Sequence, residues 1–186
     1  MKTTGWFLLM ALVAGSSPFA GELAGVSLPD RITVEGKTLV LNGMGLREAT
    51  FLKVDVYVAG LYLESKTSDP EAILGTRQVR RLVLKFVRNV SRGQMVRAWG
   101  EGFEKSSGKS LPALKDRIAT LDSWMTDLAR GDTLIFTEIP AKGVAVEVQG
   151  KVRGEIPGDD FTRALWGIWL GSSPPNPGLR KGLLGR

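Results

Sequence analysis

At 186 residues the chain suits one domain with a substantial apolar core, and no shift in composition marks off a second. It has no cysteine and no histidine, which removes disulfides, most zinc, haem and copper sites, the Ser-His-Asp and Cys-His triads, and the commonest general base near neutral pH. The formal charge is +6, yet the basic run from Arg77 to Arg97 is interleaved with one aromatic, Phe86; a nucleic-acid partner is not expected, and solvated basic faces with weak attraction to anionic lipid or cell-wall polymer are.

The first twenty residues, MKTTGWFLLMALVAGSSPFA, carry one early Lys2, an apolar run from Trp6 to Ala14, and small residues ahead of a polar chain. That order predicts a signal peptide over 1–20, with cleavage near Ala20 and a mature chain of 21–186 that is periplasmic or secreted. The run is shorter than the ~20 apolar residues a spanning helix needs, and no later segment reaches that length, so no transmembrane segment is expected in the mature chain.

Next, RITVEGKTLVLNG alternates apolar and polar residues on both sides of Glu35-Gly36, as a β-hairpin does. The stretch LNGMGLREAT reads as a glycine-broken turn carrying Arg47, followed by a long strand over Val54 to Leu63 and a shorter one over Val79 to Val87. Between these strands, KTSDPEAILG predicts a short helix capped by Ser68 or Asp69 with Pro70 in its first turn. Ser91 and Gln94 form a capping box, with Met95, Trp99 and Phe103 at helical spacing behind it. Gly93, Gly100 and Gly102 each weaken that helix by about 1 kcal/mol, which points to close packing or ligand approach as the reason for them. A second helix is predicted from a Ser110 cap, with an apolar stripe from Leu111 to Leu128 and a stop at Gly131. Three strands follow, over Leu134 to Ile139, Gly143 to Val148 and Lys151 to Ile156. A third helix is expected in FTRALWGIWLG, capped by Asp159 or Asp160, and then an extended, docked tail, PPNPGLRKGLLGR. Strands in a mostly antiparallel sheet, covered on one face by helices, define an α+β domain.

Four blocks in order, GVSLPDRITVEGKTLVLNGMGLRE, VYVAGLYLE, LKFVRNVSRGQMVRAWGEGF and GEIPGDDFTRALWGIWLGSSPP, resemble the bacterial chalcone isomerase-like family over nearly all of the mature chain. The resemblance implies an open-faced β-sandwich, a large antiparallel sheet under a helical layer. Plant enzymes of that family close a chalcone to a flavanone, while related members bind fatty acids. The enzymes' catalytic arginine corresponds to Arg47, which is kept. Their threonine, tyrosine and asparagine correspond to Tyr57, Met95 and a position near Gly102, so three of four polar groups are replaced and cyclase activity is not expected. No catalytic residue is assigned; Arg47 is the candidate if the chain is an enzyme.

On the strand, Lys53, Asp55, Tyr57, Ala59, Leu61 and Leu63 share one face, and Leu52, Val54, Val56, Val58, Gly60 and Tyr62 the other. The second set is expected to be core. The first runs from polar to apolar, as a pocket for an amphiphile would, with its head near Tyr57 and its tail beside Leu61. Ten extended residues would separate Arg47 from Tyr57 by ~33 Å, so the arginine must fold back from its glycine turn to share a site.

A buried guanidinium suits a carboxylate through paired charge-assisted hydrogen bonds. The resemblance to fatty-acid-binding members, in which an Arg and a Tyr of this segment meet the lipid head group, implies as ligand a fatty acid or similar amphiphilic or phenolic acid held by Arg47, Tyr57, Met95 and Trp99, with no metal and no cofactor expected. Two alternatives stay open: an isomerase or lyase in which Arg47 stabilises an oxyanion, and a structural protein whose cleft is filled by its own side chains. In the bland reading Arg47 pairs with Glu48, Asp55 or a carbonyl, Tyr57 is a core aromatic, and Trp99, Trp124, Trp166 and Trp169 are core. Ser106 to Lys109 matches Ser-x-x-Lys, a weak signal in a loop rich in glycine, serine and lysine.

Overall fold

Glu35 and Gly36 both take positive φ, 49° and 72°, and the turn they form joins β3 (Arg31–Val34) to β4 (Lys37–Ala49), as the alternation of that segment predicts. The computed structural model describes residues 19–49 and 52–186; the leader expected over 1–20 falls outside them, except for Phe19 and Ala20, which open β1 (Phe19–Leu23). The other strands are β2 (Val26–Pro29), β5 (Val54–Leu63), β6 (Arg80–Phe86), β7 (Thr133–Ile139), β8 (Gly143–Val148) and β9 (Lys151–Ile156). Strands β3 to β9 pair in sequence order as one seven-stranded antiparallel sheet, and β1 and β2 form a separate hairpin.

Both faces of the sheet carry packed elements, the second only over β3 to β6. One carries the helices α1 (Pro70–Gly75), α2 (Arg92–Ser107), α3 (Leu111–Trp124) and α4 (Asp159–Leu170), whose buried side chains meet Tyr57, Ala59, Leu61, Leu63, Leu84 and Phe136 in the main core. On the other face the β1–β2 hairpin lays Val26 and Leu28 against Leu39, Leu41, Val58 and Tyr62. The expectation that the Val58 and Tyr62 face is core holds, since both are buried under the hairpin, whereas the expectation that the opposite face is a pocket as far as Leu61 is corrected: beyond Tyr57 that face lies in the larger core, and Leu61 is completely buried. Gly60 is where the hairpin comes closest, since a Cβ there would lie 2.3 Å from Leu28 Cδ1.

Two helix starts follow the sequence signals closely. Asp69 caps α1 by accepting from Glu71 N, with Pro70 in the first turn, and Ser91 and Gln94 complete a reciprocal capping box on α2. Three expectations fail. Ser110 makes no capping bond, because α3 is entered through a 3-10 turn at Gly108–Ser110. That helix ends at Trp124, not near Gly131, because the chain turns extended at Met125 and Val90 and Leu128 pair as an antiparallel bridge. The N-cap of α4 is Gly158, with Asp159 and Asp160 inside the first turn, where their charges favour the positive end of the helix dipole.

The largest departures concern LNGMGLREA and the tail. The glycines do not make a turn: β4 runs unbroken through them for 13 residues. The tail is docked but helical, as α5 (Pro177–Leu183). These two facts have one cause. A Cβ on Gly43 would lie 2.1 Å from Gly182 O, one on Gly45 would lie 2.3 Å from Leu179 O, and one on Gly182 would lie 2.2 Å from Met44 O. The glycines let the helix backbone rest directly on the strand backbone. Asn42, which has no partner across the β4–β5 ladder, fixes the contact by donating to Leu183 O (2.8 Å) and accepting from Thr67 N (2.8 Å).

Gly93 and Gly100 have open space where a Cβ would go, whereas Gly102 meets Ile168 of α4 at 3.0 Å, so packing accounts for one of the three α2 glycines. Gly100→Ala is expected to stabilise the protein by about 0.5–1 kcal/mol through helix propensity. Gly45→Ala, facing a carbonyl that cannot retreat, should destabilise it by at least about 2 kcal/mol. Urea denaturation of both variants checks the opposite signs.

Candidate ligand-binding cleft

Arg47 and Tyr57 are direct partners across the β4–β5 ladder. The arginine therefore reaches the tyrosine through strand pairing, and the expected fold-back through a glycine turn is not needed. Gly43, Gly45 and Arg47 alternate onto one face of β4. The two glycines lie beneath α5, and Arg47 emerges beyond that helix, where Nη1 donates to Glu48 O and to Pro175 O at 3.3 Å. Next to it, Asn176 accepts from Glu48 N (3.3 Å) and donates to Leu46 O (3.0 Å), occupying the part of β4 that extends past β3. The carbonyl pairing that the bland reading foresees for Arg47 is present, but it uses a single nitrogen. Among the described residues Nε and Nη2 carry no hydrogen bond, and no carboxylate lies within ion-pair distance.

Directly after this pair the ladder shifts: Arg47 faces Tyr57 but Glu48 faces Asp55, which leaves Val56 unopposed. This β-bulge breaks the strict alternation expected of the strand. Val54, Val56 and Tyr57 consequently line the same cleft, of about 680 Å³, while Lys53 and Asp55 are exposed outside its lining. The polar-to-apolar run expected from Lys53 to Leu63 is therefore not the pocket wall. Its apolar wall consists of Val54, Val56, Val90, Met95, Trp99 and Ile168. The four residues expected to contact ligand, Arg47, Tyr57, Met95 and Trp99, all line this cleft, and so does Gly102.

At the inner end, Tyr57 is buried and packs edge-on against Phe86 with ring centroids 5.6 Å apart. Its hydroxyl accepts from Trp169 Nε1 at 3.0 Å, and among the described residues no acceptor takes its proton. Burial pushes its pKa up to about 12, outweighing the opposing effects of the Trp169 hydrogen bond and the Arg47 charge. Trp99 stacks edge-on with both Phe136 and Trp169, each at 5.7 Å, yet its buried Nε1 has no partner among the described residues. Three donors, the Nε–Nη2 edge of Arg47, Tyr57 Oη–H and Trp99 Nε1–H, thus belong to side chains lining one cleft.

Sequence reasoning missed Trp169 as the group that orients the Tyr57 hydroxyl, since the two are 112 positions apart. It also missed the end wall supplied by Ser173 and Pro175 after α4, and the basic residues Arg88, Arg97 and Lys105 at the opening. Those cations were visible as a run but were not tied to any site. Among the described residues no cluster of carboxylates could hold a metal ion.

With this arrangement in view, the comparisons are consistent. The profile of the chalcone isomerase-like family matches residues 20–185, and the chain belongs to that family. Among solved structures it is similar to an Arabidopsis thaliana fatty-acid binding protein, with a TM-score of 0.67, 17% identity, and coverage of 86% of this chain and 92% of that one. At that identity the likeness establishes the fold. No curated protein sequence matches significantly.

The chain has two tyrosines, and burial pushes Tyr62 up to about 12 as well. Each is protonated in the fold at pH values where an unfolded tyrosine ionises near 10. The stability this provides is complete below pH 10 and is lost as pH rises toward 12. Spectrophotometric titration should show no tyrosinate near pH 10 in the native protein, and ionisation approaching 12 that coincides with unfolding.

Proposed function

We propose that the cleft binds a fatty acid or a similar amphiphilic carboxylic acid, with the carboxylate on the Nε–Nη2 edge of Arg47 beside Tyr57. The acyl chain lies along Val54, Val56, Met95, Trp99 and Ile168. The observation that carries this reading is the half-buried Arg47, without a carboxylate partner among the described residues, set directly opposite Tyr57 in a cleft with an otherwise apolar inner wall. A volume of about 680 Å³ falls within the ~300–1,000 Å³ usual for small-ligand sites. The fatty-acid binding of the Arabidopsis neighbour agrees with it. The alternative in which the protein's own side chains fill the cleft is disfavoured, because the described residues leave it open.

We infer further that the protein binds without turning its ligand over. A cyclase or lyase needs a group that takes or positions a proton at the inner end. There the lining offers donors and the thioether of Met95; its one carboxylate, Glu101, is exposed. The leader pattern of residues 1–20 supports export, which N-terminal sequencing of the protein recovered from intact cells tests: a chain starting near Gly21 is expected, and a soluble chain retaining Met1 would refute export.

An arginine holding a carboxylate in a partly desolvated site is worth about 1.5–3 kcal/mol. Arg47→Ala should therefore weaken laurate or palmitate binding by roughly ten- to a hundredfold. Tyr57→Phe should cost less. Arg47→Lys should not restore full affinity, since an ammonium lacks the two-pronged edge. Titrations followed by tryptophan fluorescence, with thermal melts to verify folding, give the comparison; equal affinities across folded variants would return Arg47 to a purely structural role. Chalcone cyclisation by the wild type is expected to stay at the buffer rate.

A further inference from the structure

We propose that the mouth of the cleft docks on an anionic lipid surface, so that ligand exchange takes place at a membrane; this rests on the ligand reading above. Leu52, in the connection between β4 and β5, lines the cleft and is 69% exposed, an unusual position for a large apolar side chain. Beside it in the chain, Lys53 is exposed and takes a positive φ of 51°. Around the same opening lie Arg88, Arg97 and Lys105, all exposed and none in an ion pair among the described residues. Glu101 is the one carboxylate of the lining. The opening therefore combines an excess of positive charge with a protruding leucine at the entrance of an apolar cleft.

That combination matches the interface of an anionic bilayer. Cations near such a surface are attracted by its negative potential over about a Debye length, roughly 10 Å at 0.1 M salt. An apolar side chain among them is stabilised on reaching the acyl boundary. A free fatty acid has very low solubility as a monomer, so an opening that meets the membrane directly gives the ligand a path that avoids water. An acidic protein partner would be attracted by the same charges but would not need the exposed leucine at the entrance.

The full chain is tested by co-sedimentation with phosphatidylglycerol vesicles and with phosphatidylcholine vesicles at low and raised salt. Expected are binding to the first, weakened by salt, and little binding to the second. The double variant Arg97→Gln/Lys105→Gln should bind less well by about fivefold for each charge removed, and Leu52→Ser by about tenfold. The control Lys151→Gln/Arg153→Gln, on edge strand β9, removes the same charge elsewhere and should leave binding unchanged. The proposal is overturned by equal affinity for both vesicle types, by no affinity for either, or by a control that loses as much as the mouth variant. Titration of laurate into the wild type without vesicles reports on the ligand reading separately, and success there with failure on vesicles rejects docking alone.

Discussion

The contact of backbone with backbone between α5 and β4 is the constraint on which the site depends. Helices normally stand off from a sheet by the thickness of their side chains, but here Leu179 O and Gly182 O lie where Cβ atoms on Gly45 and Gly43 would be. So close an approach requires glycine on both partners, and Gly182 meets Met44 O in the same way. The result is a fixed end to the helix-covered face of β4. Arg47 is the next residue of that face beyond the two glycines, and its Nη1 is held by carbonyls of Glu48 and of Pro175, just ahead of α5. A guanidinium held this way on one side keeps a defined orientation without being neutralised. That is the condition for holding an anion through directed hydrogen bonds as well as through charge.

The bulge at Val56 has a complementary effect. An undisturbed ladder would alternate Val54 and Val56 away from the Tyr57 face, and the strand would offer the cleft only one side chain in two. Leaving Val56 unopposed brings both valines to the side of Tyr57. An apolar wall is thereby set next to an arginine and a phenol on adjacent strands, and an amphiphile can be matched along its length.

Legibility in the sequence followed the range of the interactions. Local signals were read correctly where local physics decides: the Glu35-Gly36 turn, the Asp69 cap, the Ser91–Gln94 box and the limits of β5. The helical layer and antiparallel sheet were also legible from periodicity. What failed depended on partners distant in sequence. The glycines of LNGMG look like a turn because the helix that needs them lies about 140 residues away, and that helix, seven residues long and rich in glycine, carries almost no propensity signal of its own. The wall of the cleft was misassigned because a bulge leaves no compositional trace. The four candidate contacts nonetheless reached one site, since Met95 and Trp99 follow from the α2 stripe, and the pairing of Arg47 with Tyr57 follows once the chain between them turns back on itself.

The balance of donors and acceptors bears on the proposed reading of the cleft as a binding site. A buried N–H or O–H without an acceptor costs about 1–3 kcal/mol, and the proton of Tyr57, a residue lining the cleft, has no acceptor among the described residues. A carboxylate is acceptor-only and offers several lone pairs, so its arrival relieves such penalties while compensating the Arg47 charge. A proton-transfer catalyst needs the reverse, a group at the inner end able to accept a proton and then return it. With no histidine in the chain, that task would fall to a carboxylate, to an ionised phenol or to held water. The Tyr57 phenol is pushed by burial to about 12 and stays protonated. Burial and side-chain chemistry thus both support the proposed reading of the cleft as a place that receives a negative charge, with Tyr57 held as a donor.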